Sequence, residues 1–323
     1  MKEMNILYGI DEMKKDFSRY LWVSILSLLE NHRNENIHIY ILSKYIEESN
    51  KKELIRIVES FWKKITFSKG EIVPEKFSKI VCLKGGWPLA AYYRRFFLEK
   101  FEIHDRILYL DCDTIVNQNL SEFYNSDFGE NVIIWQLDIP LTSYSQKKRF
   151  WLKKYINTWV YLINIDLYKQ VNLYEEVLKV NEIYGDVDYV DQDYTNIIFN
   201  DKIKLYKNLQ LISCFLTYSD YSDCLIIHTV QKPNAWWYAY CPKNIENIFN
   251  KYLVQTKWKH YLSYKKSVSV REYLNYIIDF WKNYCVYKSI DIFGVAFWFS
   301  LKKILDWFWM LCWKILKIIW FIK

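Results

Sequence analysis

The segment Arg106-Ile-Leu-Tyr-Leu-Asp111-Cys112-Asp113-Thr-Ile-Val116 ends an apolar run in two carboxylates separated by one residue. Its β-branched, aromatic and leucine residues predict a buried strand. In open α/β sheets, ligands bind beyond the carboxyl ends of the strands, so Asp111 and Asp113 are expected to face such a crevice. Alternate residues of an extended segment point the same way. Two hard oxygen ligands with one orientation suit Mg²⁺ or Mn²⁺, and such an ion can neutralise a diphosphate leaving group. A bare Asp-x-Asp also describes a solvated turn; the hydrophobic strand before it favours the metal.

Other segments carry groups that could join this pair. His228 ends the apolar run Cys224-Leu-Ile-Ile-His. An imidazole leaving a buried strand at the ligand edge can bind Mn²⁺ beside two carboxylates, or it can be a hydrogen-bonded core histidine. Asp11 ends a first strand at the same expected edge, where it can accept from a uracil or ribose or cap the helix that follows. Arg94 can present a planar fork to a phosphate or carboxylate, with Arg95 as the competing candidate and a solvated helix face as the plain alternative. Asp191-Gln192-Asp193 offers two carboxylates and an amide in one turn, suited to sugar hydroxyls.

The elements that must position these groups alternate. Asn5–Ile10 reads as a strand, Phe17–Glu30 as an amphipathic helix, Ile37–Leu42 as a strand, Glu47–Trp62 as a helix and Lys64–Phe67 as a short strand. That alternation implies right-handed βαβ units and a parallel sheet. Ala90–Lys100 reads as a helix entered after Gly85-Gly86-Trp87-Pro88, with Pro near its start. Val132–Leu137 and Tyr155–Ile165 read as strands, and the polar, aromatic Pro140–Lys154 between them as a surface loop or lid. Leu167–Ile183 reads as a helix. A short helix opens at Asp191, a candidate N-cap, and Leu225–His228 is a last core strand. No internal repeat is present. Composition changes after Pro242 and again near Ile290, giving a main domain over 1–242, a helical extension over 243–289 and a distinct tail over 290–323.

Of 323 residues, 52% are hydrophobic and 19% aromatic, ample for a large core. Only 7 are Gly, and neither G-x-G-x-x-G nor G-x-x-x-x-G-K-[ST] occurs, so a nucleotide must be held by side chains and a metal rather than a glycine-rich loop. The seven cysteines (Cys82, Cys112, Cys214, Cys224, Cys241, Cys285 and Cys312) are odd in number and contain no C-x-x-C pair, which suits a reducing compartment. The N-terminus lacks a signal-peptide core; a cytoplasmic location is expected. Net charge is +7, but the lysines are dispersed and no nucleic-acid motif is present, so no nucleic-acid partner is expected.

The tail, residues 290–323, holds five of the 15 Trp: Trp298, Trp307, Trp309, Trp313 and Trp320. Its longest uncharged run falls short of the ~20 residues a spanning helix needs. On a helix, Lys302, Lys303, Asp306, Lys314 and Lys317 share an arc of roughly 120°, and the rest of the surface is Trp, Phe, Ile and Leu. Such a helix lies at an anionic membrane surface, rings at headgroup depth and lysines against the lipid charge. Docking on the protein's own core or on a second copy is the alternative.

In this order and spacing the segments resemble glycosyltransferase family 8, retaining α-glycosyltransferases of GT-A fold that include bacterial lipooligosaccharide galactosyl- and glucosyltransferases. The resemblance rests on Asn5-Ile-Leu-Tyr-Gly-Ile-Asp11, Tyr92-Tyr-Arg94, Ile107-Leu-Tyr-Leu-Asp-Cys-Asp113, Tyr155-Ile-Asn157 with Leu162-Ile-Asn164, Asp191-Gln-Asp-Tyr-Thr-Asn196 and Ile227-His228 with Trp236. It implies a Rossmann-like, mostly parallel central sheet flanked by helices, followed by a helical membrane-associating tail. Asp111, Asp113 and His228 would bind Mn²⁺, or Mg²⁺, bridging the diphosphate of a UDP-sugar. Gly9 and Asp11 would lie against uridine. Arg94 and Asp191 would hold the donor sugar with Asn157 nearby, Gln192 would lie under the anomeric carbon, and Lys232 would supply charge to the diphosphate. The expected reaction moves glucose or galactose to a cell-surface glycan, from a peripheral position on the inner face of the cell membrane.

Two departures stand out. After the strand asparagine the family usually has a small residue and then Gly; here they are Thr158 and Trp159. The family's His-x-x-Gly-x-x-Lys-Pro-Trp becomes His228-Thr-Val-Gln231-Lys232-Pro233-Asn234-Ala235-Trp236. These changes keep open a catalytically degenerate, membrane-bound GT-A scaffold.

Overall fold

The structure is a computed structural model. It describes residues 3–12, 18–68, 70–81, 89–138, 140–206, 211–212, 224–228 and 243–259. The strands in chain order are β1 (Met4–Ile10), β2 (Ile37–Ser43), β3 (Lys64–Phe67), β4 (Arg106–Leu110), β5 (Thr114–Val116), β6 (Ile133–Trp135), β7 (Val160–Asn164), β8 (Ile203–Leu205), β9 (Leu211–Ile212) and β10 (Ile226–His228).

Seven of them form a central sheet in the order β3-β2-β1-β4-β7-β6-β8. β1 runs parallel to β2 and β4, β2 to β3, and β6 to β8. β7 is antiparallel to both neighbours. This is the mostly parallel α/β sheet expected from the strand–helix alternation. Its central strands are buried on both faces, and the continuous apolar text of Ile107–Leu110 is the sequence form of that burial. β1 and β4 share a register in which Leu7 faces Tyr109, so Gly9, Asp11 and Asp111 reach the same edge.

The remaining strands form a small second sheet, β5-β10-β9. β10 is therefore not a strand of the central sheet. It pairs antiparallel with β5, with His228 opposite Thr114, and this register sets the imidazole next to Asp113. The helix Ser18–Asn31 packs against β5. Its serines fasten it there: Ser24 Oγ lies 3.1 Å from both Tyr8 OH and Thr114 Oγ1, and Ser27 Oγ accepts from Val116 N at 2.9 Å.

Several expected elements differ. Pro140–Phe150 is a helix, not a loop. Its inward stripe is Ser143, Gln146 and Phe150, all buried, so two of three core-facing positions are polar and the apolar periodicity is hidden. Ala90–Lys100 forms two 3₁₀ segments, Leu89–Arg95 and Phe97–Glu99, rather than an α-helix. Tyr92 to Phe97 are buried without a break, leaving no solvent face for an amphipathic helix. Leu167–Ile183 is split into helices Ile165–Tyr168 and Leu173–Tyr184, each with an asparagine N-cap: Asn164 accepts from Leu167 N and Asn172 from Glu175 N. Tyr155–Ile165 is strand only from Val160, preceded by an isolated bridge between Leu137 and Ile156.

The helix Lys243–Leu253 lies against Ser18–Asn31. It buries Phe249, Tyr252 and Leu253 in the same core. Lys232, Gln231, Asn234, Trp236 and the 290–323 tail lie outside the described residues. Among the described residues no helix is long and apolar enough to cross a membrane.

Candidate active site and metal centre

Asp111-Cys112-Asp113 is a turn, not the end of an extended strand. Thr114 N donates to Asp111 O at 3.2 Å, and Thr114 Oγ1 donates to the same oxygen at 2.7 Å. Buried Cys112 points back to β1, its Sγ 3.2 Å from Gly9 O. The two carboxylates nevertheless converge. One ligand atom each from Asp111, Asp113 and His228 lies within 4.8 Å of the others. His228 Nε2 is 3.0 Å from Asp113 Oδ1. Two carboxylate oxygens and an imidazole nitrogen are a donor set that Mn²⁺ or Mg²⁺ accepts, so the residues fit a divalent cation.

Burial raises the Asp111 carboxyl to about 6, with Arg94 opposing and Asp113 adding to the rise. For His228 burial works against charge, but the adjacent Asp113 carboxylate outweighs it and the imidazole pKa is raised. Both shifts favour the protonated forms, with which a bound cation would compete.

Arg94 joins this cluster to the Asp191 turn. Its Nε donates to Asp191 Oδ2 at 2.6 Å and its Nη2 to Asp191 Oδ1 at 3.0 Å. Nη1 donates to Asp111 Oδ1 at 3.1 Å and to Thr158 O. Tyr109 completes the arrangement, donating to Asp111 Oδ1 at 2.5 Å, while the guanidinium lies 4.8 Å over its ring. Arg94 is buried, and most of its five donors serve protein acceptors. Arg95 turns inward as well, to Asp191 O at 2.8 Å and Thr195 Oγ1 at 2.5 Å.

The helix carrying Asp191 and Gln192 spans Val190–Ile198, with Tyr189 at the N-cap position. Asp191 lies in its first turn rather than capping it. Asp193 fastens the chain that enters the helix, its Oδ2 accepting from Asp188 N at 2.8 Å and Tyr189 N at 2.9 Å. Tyr155 OH donates to its other oxygen at 2.5 Å. Asp193 is fully buried, with both oxygens engaged inside the protein. Val190 has φ of 37°, a left-handed conformation that a β-branched residue avoids, at a cost on the order of 1–3 kcal/mol. The strain falls immediately before Asp191 and Gln192.

Gln192 is tethered at both ends of its amide. Oε1 accepts from Thr158 N at 3.1 Å; Nε2 donates to Asp138 Oδ2 at 3.0 Å and Tyr155 OH at 3.1 Å. Asn157 is buried and accepts from Trp135 Nε1 at 2.7 Å. Asn196 holds the chain just before it, pairing with Ile156 N and Ile156 O at 2.7 and 2.8 Å. Thr158 therefore touches Gln192 through its N–H and Arg94 through its carbonyl, while Trp159 O accepts from Asp111 N at 2.8 Å. This dipeptide links the amide to the carboxylate cluster.

At the neighbouring edge, Asp11 Oδ2 accepts from Tyr93 OH at 3.4 Å. Its Oδ1 is buried with no hydrogen-bond partner among the described residues, a state that a ligand donor would relieve. A Cβ added at Gly9 would lie 3.5 Å from Tyr93 Cβ, an ordinary contact; internal packing alone does not demand glycine there. Of the residues marked in the sequence, Arg94, Asp111, Asp113, Asp191, Gln192 and His228 are connected as above, with Asn157 and the Gly9–Asp11 edge beside them. The roles of Tyr109, Asp138, Tyr155 and the Thr158 backbone are not legible in the sequence, because they depend on partners distant in it.

Comparison with known proteins places the chain in a family and a fold. The family model "Glycosyl transferase family 8" matches residues 5–225. A lipopolysaccharide 1,2-glucosyltransferase of Escherichia coli is 24% identical over 297 residues, covering 83% of each chain. A lipopolysaccharide 1,3-galactosyltransferase of Salmonella typhimurium is 23% identical, covering 80% of each. A Haemophilus influenzae protein is 27% identical over 64% of this chain, which spans 62% of that relative's length. The crystal structure of galactosyltransferase LgtC in complex with donor and acceptor sugar analogs superposes with a TM-score of 0.67 at 20% identity, over 83% of this chain and 98% of that one. That likeness establishes the GT-A-like fold, and with the family match over most of the catalytic region the chain belongs to glycosyl transferase family 8.

Proposed function

We propose that the protein is a retaining α-hexosyltransferase that moves glucose or galactose from a UDP-sugar to a lipopolysaccharide-type or other cell-surface glycan. The convergence of Asp111, Asp113 and His228 beside the Arg94–Asp191–Gln192 network carries this reading. The glycan class is supported by the lipopolysaccharide glycosyltransferases among its relatives.

In this reading Asp111, Asp113 and His228 hold Mn²⁺, with Mg²⁺ as the alternative. The bound cation supplies positive charge that stabilises the departing diphosphate. Asp11 accepts a donor hydrogen from uridine through its unpartnered Oδ1, beside Gly9. Asp191, oriented by Arg94, accepts from donor-sugar hydroxyls with Asn157 close by. Lys232 adds charge to the diphosphate.

Gln192 spends both amide hydrogens on Asp138 and Tyr155. Its Oε1 keeps one lone-pair direction beyond the bond from Thr158 N. An amide oxygen held this way is a weak nucleophile but a well-oriented dipole. It suits electrostatic stabilisation of an oxocarbenium-like ion pair, with the departing phosphate oxygen taking the proton of the acceptor hydroxyl on the same face. The tail over 290–323 would hold the protein against anionic lipid on the inner face of the membrane.

The test is UDP release from a panel of UDP-sugars, with Mn²⁺ and with EDTA, in the presence of lipid, with the anomeric configuration of the product read by NMR. Metal-dependent release from one donor and an α-linked product are expected. UDP binding without turnover on any donor or glycan acceptor would favour the scaffold reading.

A further inference from the structure

We propose that Trp159 is a positioning residue of the metal centre, fixing two of its three ligands, and that its indole does for His228 what a hydrogen-bond acceptor does at most histidine metal sites. The proposal rests on the reading of Asp111, Asp113 and His228 as a divalent-cation site.

A ligating imidazole ordinarily donates its second ring N–H to a carboxylate, carbonyl or water, which fixes both tautomer and ring plane. His228 Nδ1 is buried and has no hydrogen-bond partner among the described residues. Its Nε2 meets Asp113 Oδ1, a single contact about which the ring could still turn. The Trp159 indole lies against the imidazole, ring centroids 4.7 Å apart and planes tilted by 41°. Aromatic rings in offset or tilted contact at this separation attract one another beyond simple burial. An extended indole face leaves the imidazole few orientations.

The same residue acts on a second ligand through its backbone. Trp159 O accepts from Asp111 N at 2.8 Å, which holds the start of the Asp111-Cys112-Asp113 turn. Trp159 is itself held, its N 3.4 Å from Asn157 Oδ1, an atom fixed by the Trp135 indole. Ring and carbonyl thus make the strand entry before β7 a rigid wall on which Asp111 and His228 are set. Replacing the side chain leaves the carbonyl contact and removes only the hold on the imidazole, so the two contributions are separable.

The experiment titrates Mn²⁺ into the full-length chain in the presence of UDP, with free Mn²⁺ read by electron paramagnetic resonance. The proteins are native, Trp159→Ala, Trp159→Leu and Trp159→Phe, each checked by its thermal unfolding midpoint. Loss of an outer contact to a ligating histidine weakens metal affinity by roughly 10–100-fold, the range expected for Trp159→Ala. Trp159→Phe, which keeps an aromatic face, should restore most of the affinity, while Trp159→Leu, which keeps only apolar bulk, should not. If Trp159→Ala does not fold, the contrast between Leu and Phe decides. Native-like Mn²⁺ affinity in Trp159→Ala, or equal affinity in the Leu and Phe variants, would overturn the proposal. Absence of Mn²⁺ binding by the native protein would instead bring down the metal-site reading and the proposal with it.

Discussion

Arg94 and Asp191 form a buried two-point ion pair, Nε to Oδ2 at 2.6 Å and Nη2 to Oδ1 at 3.0 Å, across 97 residues of sequence. The same guanidinium reaches Asp111. One side chain therefore ties the turn bearing Gln192 to the carboxylate cluster. Arg94→Met removes the only charge partner of the Asp191 carboxylate among the described residues. Leaving a buried carboxylate without its partner costs about 3–5 kcal/mol, and urea unfolding should show a loss of that order. Arg94→Lys keeps charge but not the planar fork and should lose less. A Met variant as stable as the native protein would show that the pair does not organise the site.

Asp113→Asn should abolish turnover and weaken Mn²⁺-dependent nucleotide binding while leaving the fold intact. Asp113 is partly exposed and contacts His228 rather than the core, so circular dichroism and the unfolding midpoint should scarcely move. Near-normal turnover in this variant would refute the metal assignment.

Metal affinity should rise with pH. Cation binding needs an ionised Asp111 and a neutral His228. The Asp111 carboxyl is held up to about 6, chiefly by burial. The His228 imidazole is raised above its ordinary value, because Asp113 outweighs burial. Protons therefore compete with the metal below neutrality, and affinity should climb as pH passes from 5 to above 7. Calorimetry in buffers of different ionisation heat should register proton release on Mn²⁺ binding. A flat profile, with no proton released, would contradict the assignment of these two ligands.

His32 gives a pH effect on stability that is independent of the site. The ring is fully buried, with Nδ1 2.8 Å from Leu28 O and Nε2 accepting from Leu120 N at 2.7 Å. Only the neutral Nδ1–H tautomer satisfies both contacts, and burial lowers the pKa. The unfolded chain takes up a proton at ~6.5 while the folded protein resists it, so stability present above that pH is lost as pH falls through and below it. The slope of unfolding free energy against pH should be positive between pH 5 and 7, and smaller in His32→Gln. An unchanged slope in that variant would assign the effect elsewhere.

The strands and the candidate cluster of Asp111, Asp113 and His228 are readable because they depend on local text. Ile107–Leu110 is a continuous apolar run before two carboxylates, and Ile226–Ile227 is another before a histidine. The network behind them was not readable in the same way. Nothing near Arg94 in the sequence distinguishes a fork aimed at a sugar from one aimed at Asp191 and Thr158 O. Asp193 reads as a sugar ligand because carboxylates in a turn are usually solvated; only the fold shows it holding the backbone of residues 188 and 189. The Pro140–Phe150 helix is hidden in the sequence because Ser143 and Gln146 face inward. The splitting of Leu167–Ile183 had a local signal, the capping asparagines Asn164 and Asn172, masked by the apolar residues between them.

The central claim is that a divalent cation held by Asp111, Asp113 and His228 joins this fold to a uridine diphosphate donor. Calorimetric titration of UDP into the full-length protein, with Mn²⁺ and then with EDTA, tests it most directly. The account predicts UDP binding with Mn²⁺ that is lost in EDTA and lost again in Asp113→Asn. UDP binding of equal strength with and without the metal, or no binding in either condition, would contradict it.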